Sequence, residues 1–376
     1  MAPFLQNLNE LYMFSKMTFV VLLSLAISVL KGQENYRWFS PLAVKQVQGR
    51  VNNHKISGFQ RLPEDLKEHV RGPVWSLGRN AAGLYIDFQT SASEIVVKYQ
   101  VEGPLNMPHM PTTGVSGLDL YAYDPVTKTW KWAYGQYNFA DTVTYSWKNI
   151  GAHDNFKYRL YLPLYNTVKW LEIGVPHGLE IQYPPAADSK PIVVYGTSIG
   201  QGACASRPGL AWTNQVGRAF DNEVMNLCFS GNGRLEQPIL NLMNEVNAAC
   251  YILDCIPNLS VTTSRTERQL DSLLTHAVTF LRKQHPRTPI ILTQHSSGHI
   301  PEVFNMDKNE EYQQSSRVLV ASFEKLKSWG VEQIYLIPSK DLSLDLNSTV
   351  DYAHPNDQGM ERIAHGYIHL LKSILK

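Results

Sequence analysis

The strongest constraint in this sequence is a change of hydrophobic pattern at about Pro191. Before that point, short segments alternate apolar and polar residues. Leu84-Tyr85-Ile86-Asp87-Phe88 does so, and so does Glu94-Ile95-Val96-Val97-Lys98-Tyr99. Segments 118–123, 130–134, 158–162 and 168–173 continue the series, separated by Gly, Pro, Asn and Asp. A period of two over such lengths is the signature of half-buried strands, and strands spaced by turn residues predict a sandwich or jelly roll. After Pro191, short β-branched runs at 192–195, 224–229, 250–255, 289–293 and 331–337 alternate with helical periodicity at 212–220, 237–246, 266–284, 312–329 and 358–375. Strands interleaved with helices imply crossover units and a parallel sheet. The expectation is an α/β fold: a three-layer, flavodoxin-like domain over 190–376, preceded by an all-β sandwich over 36–178. Pro184-Pro185-Ala186-Ala187-Asp188 reads as the linker.

Size and charge narrow the function classes. A chain of 376 residues exceeds one ordinary core, and 44% hydrophobic with 18% charged residues is a globular composition. The formal net charge is +1 and no basic block stands out, which argues against nucleic acid and against an anionic membrane surface as partners. Lys16 precedes an apolar run over 19–30, the order of an export signal with cleavage near Gly32. A membrane span needs about 20 apolar residues, so no stable insertion is expected after cleavage. The stretch before Met13 reads as an over-called start, and no Cys near Gly32 indicates a lipid anchor. The expected location is periplasmic or secreted. The four cysteines, Cys204, Cys228, Cys250 and Cys255, all follow Pro191. Three lie in or beside strand-like runs and read as buried thiols; a disulfide involving Cys204 stays open. No Cys/His spacing of a zinc site is present.

The chemistry-bearing residues sit where a parallel α/β sheet places its site, at the carboxyl ends of strands. The first strand ends in Gly196-Thr197-Ser198-Ile199-Gly200, a serine between glycines at a strand-to-helix turn. Asp351-Tyr352-Ala353-His354 precedes the last helix. A serine hydroxyl needs a base, and the imidazole needs a carboxylate to set its tautomer. Asn356 or Asp357 is expected to cap the helix. The second strand ends in Phe229-Ser230-Gly231-Asn232-Gly233, where Gly231 offers a backbone N–H, and the third is followed by Asn258 with its side-chain amide. Such donors are what an oxyanion requires. Taken alone, each of these is an ordinary turn residue.

Ser, Gly, Asn and His thus arrive in order at four places facing one crevice. These blocks resemble the SGNH (GDSL-type) hydrolase superfamily. Gly117-Leu118-Asp119-Leu120-Tyr121 is similar to the Gly-x-Asp-Leu-Tyr motif of an N-terminal β-sandwich domain that precedes certain SGNH hydrolases, and Gly202-Ala203-Cys204-Ala205-Ser206-Arg207-Pro208-Gly209 looks like the same subgroup. The resemblance implies Ser198 as nucleophile, His354 as base and Asp351 as its acid partner. The oxyanion donors would be the N–H groups of Ser198 and Gly231 and the amide of Asn258. It implies an exported bacterial esterase, with an acylated carbohydrate or other small ester as substrate. The chain departs from the wider superfamily in reading Gly-Thr-Ser-Ile at the first block and Ile-Pro-Asn at the third.

An α/β-hydrolase also carries G-x-S-x-G, but its nucleophile follows several strands and its acid and base sit on separate loops. The chemistry so described needs no metal and no cofactor. Other readings are a catalytically inactive carbohydrate-binding protein and an acylhydrolase acting on lipids or thioesters. His295 and His299 read as loop residues, Arg207 as a substrate contact or a loop brace, and Trp130, Trp132 and Tyr134 as packing or a carbohydrate platform. Asn258 and Asn347 head glycosylation triplets that carry no weight in a bacterial chain. Oligomeric state is not readable from the sequence.

Overall fold

The computed structural model describes residues 35–151, 156–185 and 189–375; the expected export signal and part of the linker lie outside them. Among the described residues nine strands precede Pro191: β1 (Tyr36–Phe39), β2 (Tyr85–Gln89), β3 (Glu94–Val101), β4 (Asp119–Asp124), β5 (Thr129–Ala133), β6 (Gln136–Asn138), β7 (Val143–Lys148), β8 (Lys157–Tyr161) and β9 (Val168–Pro176). They pair antiparallel in two sheets, ordered β1-β9-β3-β7-β6 and β2-β8-β4-β5. The inward faces of both sheets make one core that includes Ile86, Phe88, Ile95, Val97, Leu120, Trp147, Leu160 and Ile173. This is the expected sandwich. β1, β6 and β7, and the helix Gly72–Gly78, add to the segments anticipated from alternation.

After Pro191 come β10 (Ile192–Gly196), β11 (Val224–Cys228), β12 (Cys250–Asp254), β13 (Ile290–Thr293) and β14 (Ile334–Ile337). They form one parallel sheet in the order β11-β10-β12-β13-β14. The helices Trp212–Phe220, Gln237–Asn244, Glu267–Gln284, Met306–Ser328 and Asp357–Ile374 alternate with these strands. β10, first in sequence, lies between β11 and β12, so the chain reverses direction across the sheet at its end. That reversal opens a crevice at the carboxyl edge. Among the described residues no helix is long and apolar enough to cross a membrane. All four cysteines are free and buried, so the open question of a Cys204 disulfide resolves to a thiol.

The two folding units share their cores. One side of the parallel sheet buries Val51, Leu62 and Val74 among its own residues, and the other buries Ala82, Met110, Val115 and Leu164. Fully buried Arg61 crosses the same boundary. Its guanidinium donates to the carbonyls of Leu77, Asn80, Asn226 and Cys228 and to Asn226 Oδ1. Burial lowers its pKa to about 10, which leaves it charged near neutral pH. The outer face of the sheet β2-β8-β4-β5 docks on the helix Trp212–Phe220. Tyr161 Oη donates to the Asn214 carbonyl at 3.3 Å, and the Arg218 guanidinium sits 4.1 Å from the Tyr121 ring centroid.

The Gly-x-Asp-Leu-Tyr run is the centre of this contact. A Cβ on Gly117 would lie 2.3 Å from the Thr113 carbonyl oxygen, so only glycine fits. Leu120 points into the sandwich core. Asp119, on the opposite face, accepts from Trp132 Nε1 (2.6 Å), Arg207 Nη1 (2.6 Å) and the Gly209 N–H (2.9 Å). Arg207 also donates to Tyr121 Oη at 2.6 Å. Gly209 leaves no room for a side chain: a Cβ there would stand 2.3 Å from the Tyr121 ring. Arg207 is therefore a brace. Trp132 is tied to Asp119 and Trp130 packs against the Tyr85, Tyr121 and Tyr161 cluster, so both serve the interface. Replacing Asp119 by Ala would leave the Arg207 guanidinium without its counter-charge and the Gly209 N–H without its acceptor, at a site where Asp119 is 3% exposed. Breaking a buried ion pair in this way costs about 3 kcal/mol or more. The Asp119→Ala variant is expected to show a lower urea midpoint than wild type, and an unchanged midpoint would contradict the clamp.

Candidate active site

The hydroxyl of Ser198 is presented by the turn that follows β10, the strand between β11 and β12. Thr197 is extended and its side chain accepts from the Ile199 N–H, which starts the short helix Ser198–Gln201 at Ser198. As its first residue, Ser198 has an N–H with no intrahelical acceptor. Gly196 and Gly200 are required by crowding from below. A Cβ on Gly200 would lie 2.4 Å from Cys228 Sγ, and one on Gly196 would lie 3.0 Å from the same sulfur. Gly202 ends the helix with φ +106°, a left-handed conformation suited to glycine.

His354 arrives from the far end of the chain, 156 positions away. Ser198 Oγ lies 2.8 Å from His354 Nε2. His354 Nδ1 lies 2.8 Å from Asp351 Oδ2, while Asp351 Oδ1 accepts from the backbone N–H groups of His354 (2.8 Å) and Ala353 (3.2 Å). One carboxylate thus shapes the loop with one oxygen and orients the ring with the other, which explains the three-residue spacing. Burial pushes the Asp351 carboxyl up, but the hydrogen bonds from His354 outweigh it and hold the group below the usual carboxylate range. The loop closes on itself through Val350 N–H to His354 carbonyl, 2.8 Å. Asn356 caps the final helix by accepting from the Gly359 N–H. Asp357, the other expected cap, instead accepts from the Ser206 N–H at 2.7 Å, tying the histidine loop to the segment after the serine.

Gly231 and Asn258 lie beyond β11 and β12, which flank the serine's strand. Gly231 has φ +66°, and the space where its Cβ would stand is open. Asn258 Oδ1 accepts from the Gly233 N–H at 3.0 Å, which fixes the amide plane. Gly233 was not anticipated. A Cβ on it would lie 2.2 Å from the Gly196 carbonyl oxygen, so this glycine lets the second block press against the first while holding Asn258. Gln201 was also missed. Buried completely, it accepts from the Ser230 N–H at 2.9 Å and donates to the Leu164 carbonyl at 3.3 Å. Neither had a signal of its own, since Gly in a turn and Gln on a helix are unremarkable until the contact is seen.

His295 is a support within the packing rather than a member of the hydrogen-bonded chain. His295 is buried and stacks on Tyr312 with ring centroids 3.5 Å apart; Tyr312 in turn stacks on Tyr352 of the histidine loop. Burial first, then Lys308 and His354, lowers its pKa to about 3, so it is a neutral support. The segment before β4, by contrast, reaches the site: the His109 ring centroid is 5.8 Å from that of His354.

Asp254, at the end of β12, is completely buried, and burial raises its pKa from 3.8 to about 7, partly offset by a hydrogen bond from Tyr367. The folded chain therefore keeps a proton that the unfolded chain releases near pH 3.8. The sign follows: the folded state binds more protons between these values, so this group's contribution to stability falls as pH rises from about 4 to about 7. Asp254→Asn is expected to flatten that decline in thermal midpoint. An identical pH slope in wild type and variant would contradict the assignment.

Comparison with known proteins agrees with this architecture. Residues 189–372 match the GDSL-like lipase/acylhydrolase family model, and residues 36–181 match the GxDLY model, the N-terminus of SGNH-type esterases. A protein of Bacteroides ovatus described as a GDSL-like lipase is 30% identical, with 91% of this chain and 98% of that chain covered and a TM-score of 0.81. The salicylyl-acyltransferase of a tetracycline biosynthetic pathway is 18% identical over 90% and 97% of the two chains, TM-score 0.72. A family two carbohydrate esterase from Cellvibrio japonicus is 12% identical over 90% and 98%, TM-score 0.55, a likeness of fold. No curated protein matches the sequence. The chain belongs to the GDSL-like lipase/acylhydrolase family of SGNH-type esterases, in the group that carries an N-terminal GxDLY domain.

Proposed function

We propose that this protein hydrolyses carboxylic esters through an acyl-enzyme at Ser198, and that its substrate is a small acyl group, such as acetyl, on a sugar hydroxyl. The observation that carries the reaction is the continuous hydrogen-bond chain from Ser198 Oγ through His354 to Asp351, with both contacts at 2.8 Å. His354 takes the serine proton through Nε2 as Oγ attacks the ester carbonyl. Asp351 keeps the proton on Nδ1 and stabilises the imidazolium. The N–H groups of Ser198 and Gly231 and the Asn258 amide receive the negative oxygen, each such donor contributing about 3–4 kcal/mol to the transition state. The imidazolium then protonates the leaving alcohol, and water repeats the sequence to release the acid.

The sugar-ester preference draws support from the carbohydrate esterase of like fold, and export is inferred from the charged and apolar order of residues 16–30. An inactive carbohydrate binder is disfavoured by the intact Ser198–His354–Asp351 chain, which binding alone does not require.

The test is hydrolysis of p-nitrophenyl acetate and release of acetate from acetylated polysaccharide. Ser198→Ala and His354→Ala should each lower kcat by about 10⁴-fold or more, leaving the fold intact by circular dichroism. Asn258→Ala should lower kcat by about 10²-fold with little change in KM. Equal rates for wild type and Ser198→Ala would overturn the mechanism. Activity on p-nitrophenyl acetate without release from any polysaccharide would overturn the substrate class alone.

A further inference from the structure

The reaction above uses one nitrogen of His354 and leaves two neighbours unexplained. Cys204 and His109 come from different parts of the chain, the first from the turn after the serine and the second from the segment before β4. Yet the cysteine Sγ and one ring nitrogen each of His109 and His354 lie within 4.8 Å of one another. Cys204 is held in place by its backbone, with φ +69°, a conformation uncommon for a residue with a side chain. His109 is exposed, and its ring centroid lies 5.8 Å from that of His354.

We propose that His109, Cys204 and His354 form a binding site for a thiophilic divalent cation such as Zn²⁺, and that its occupation switches the proposed esterase off. A thiolate with two imidazoles is a ligand set that selects such ions over Mg²⁺ or Ca²⁺. Zinc bonds of about 2.0–2.3 Å place tetrahedral ligands roughly 3.5 Å apart, so closing the set from within 4.8 Å needs only a modest inward turn of the exposed His109 ring. The outer support is already built. Ligating histidines characteristically pass their other ring N–H to a carboxylate, and Asp351 holds His354 Nδ1 in that manner at 2.8 Å. Nε2 is then the nitrogen whose lone pair is available, and Ser198 Oγ beside it can supply an oxygen for the fourth position. On binding, the Cys204 thiol gives its proton to solvent, so affinity rises with pH. Inhibition follows from the electron count: a lone pair donated to the metal cannot accept the serine proton.

The inhibitory consequence rests on the esterase reading, whereas the site itself does not, and the experiment separates them. Co²⁺ is titrated into the full chain while the thiolate-to-cobalt absorption near the ultraviolet is followed. The band should appear in wild type, vanish in Cys204→Ser, and require at least about tenfold more Co²⁺ in His109→Ala. In parallel, micromolar Zn²⁺ should suppress p-nitrophenyl acetate hydrolysis about tenfold or more. EDTA should restore it, and both variants should resist it. His109 is an exposed loop residue, so His109→Ala keeps the test meaningful if the Cys204 variant folds poorly. Absence of the cobalt band in wild type would overturn the site. Equal zinc inhibition in wild type and both variants would overturn its role. Lack of esterase activity with the cobalt band present would refute the proposed function and leave the metal site standing.

Discussion

A hydrogen bond between two side chains 156 positions apart is the constraint on which the rest of this structure turns. An alcohol becomes a nucleophile only when a base sits within about 3 Å of it, and an error of one ångström is enough to lose the proton transfer. Both partners are therefore anchored twice. Ser198 stands at the end of β10, an interior strand, and the helix behind it is pinned by Asn226 Nδ2 donating to the Gly200 carbonyl. His354 is fixed by Asp351 from below and by the Asp357–Ser206 contact alongside. The second of these ties the serine's own loop to the histidine's through one hydrogen bond of 2.7 Å.

The sandwich is part of that anchoring. Arg61 reaches across to hold the carbonyls of Asn226 and Cys228, the strand that carries Gly231 at its end. Each of its three guanidinium nitrogens has an acceptor, which is what permits a buried cation. Asp119 clamps the segment that leaves the serine helix, and Leu164 fills space behind that helix. The GxDLY run thus has a mechanical meaning: a glycine for close approach, a leucine for the inner core, and an aspartate and tyrosine for the outer grip on Arg207 and Gly209. A domain that might have been a detachable binding module is instead a wall of the hydrolase core.

The glycines divide by purpose. Gly200 and Gly233 exist because neighbouring atoms leave no space, at 2.4 Å and 2.2 Å from where a Cβ would stand. Gly231 faces open space, as suits a backbone N–H that must meet a ligand rather than a neighbour. Crowding thus explains why the second block can press against the first, while Gly231 is set by its left-handed backbone, φ +66°. His295 reads from the sequence as a loop residue, and the structure gives it a use there: stacking and burial make it a prop for the loop that carries His354.

Much of this was legible in the sequence. Period-two and mixed periodicity separated the antiparallel sheets from the parallel one, because each pattern records which faces of an element meet water. Ser198, Gly231, Asn258, Asp351 and His354 stood at strand ends or in the loop before the last helix, and a parallel sheet gathers those places at one edge. What the sequence could not tell was which residues meet across the boundary between the two units. Arg61, Gln201 and Gly233 support the site through contacts made by ordinary residue types, and His109 with Cys204 approaches His354 although no spacing links them. Such contacts join segments by distance in space, set by how two sheets dock, and only the tertiary structure decides them.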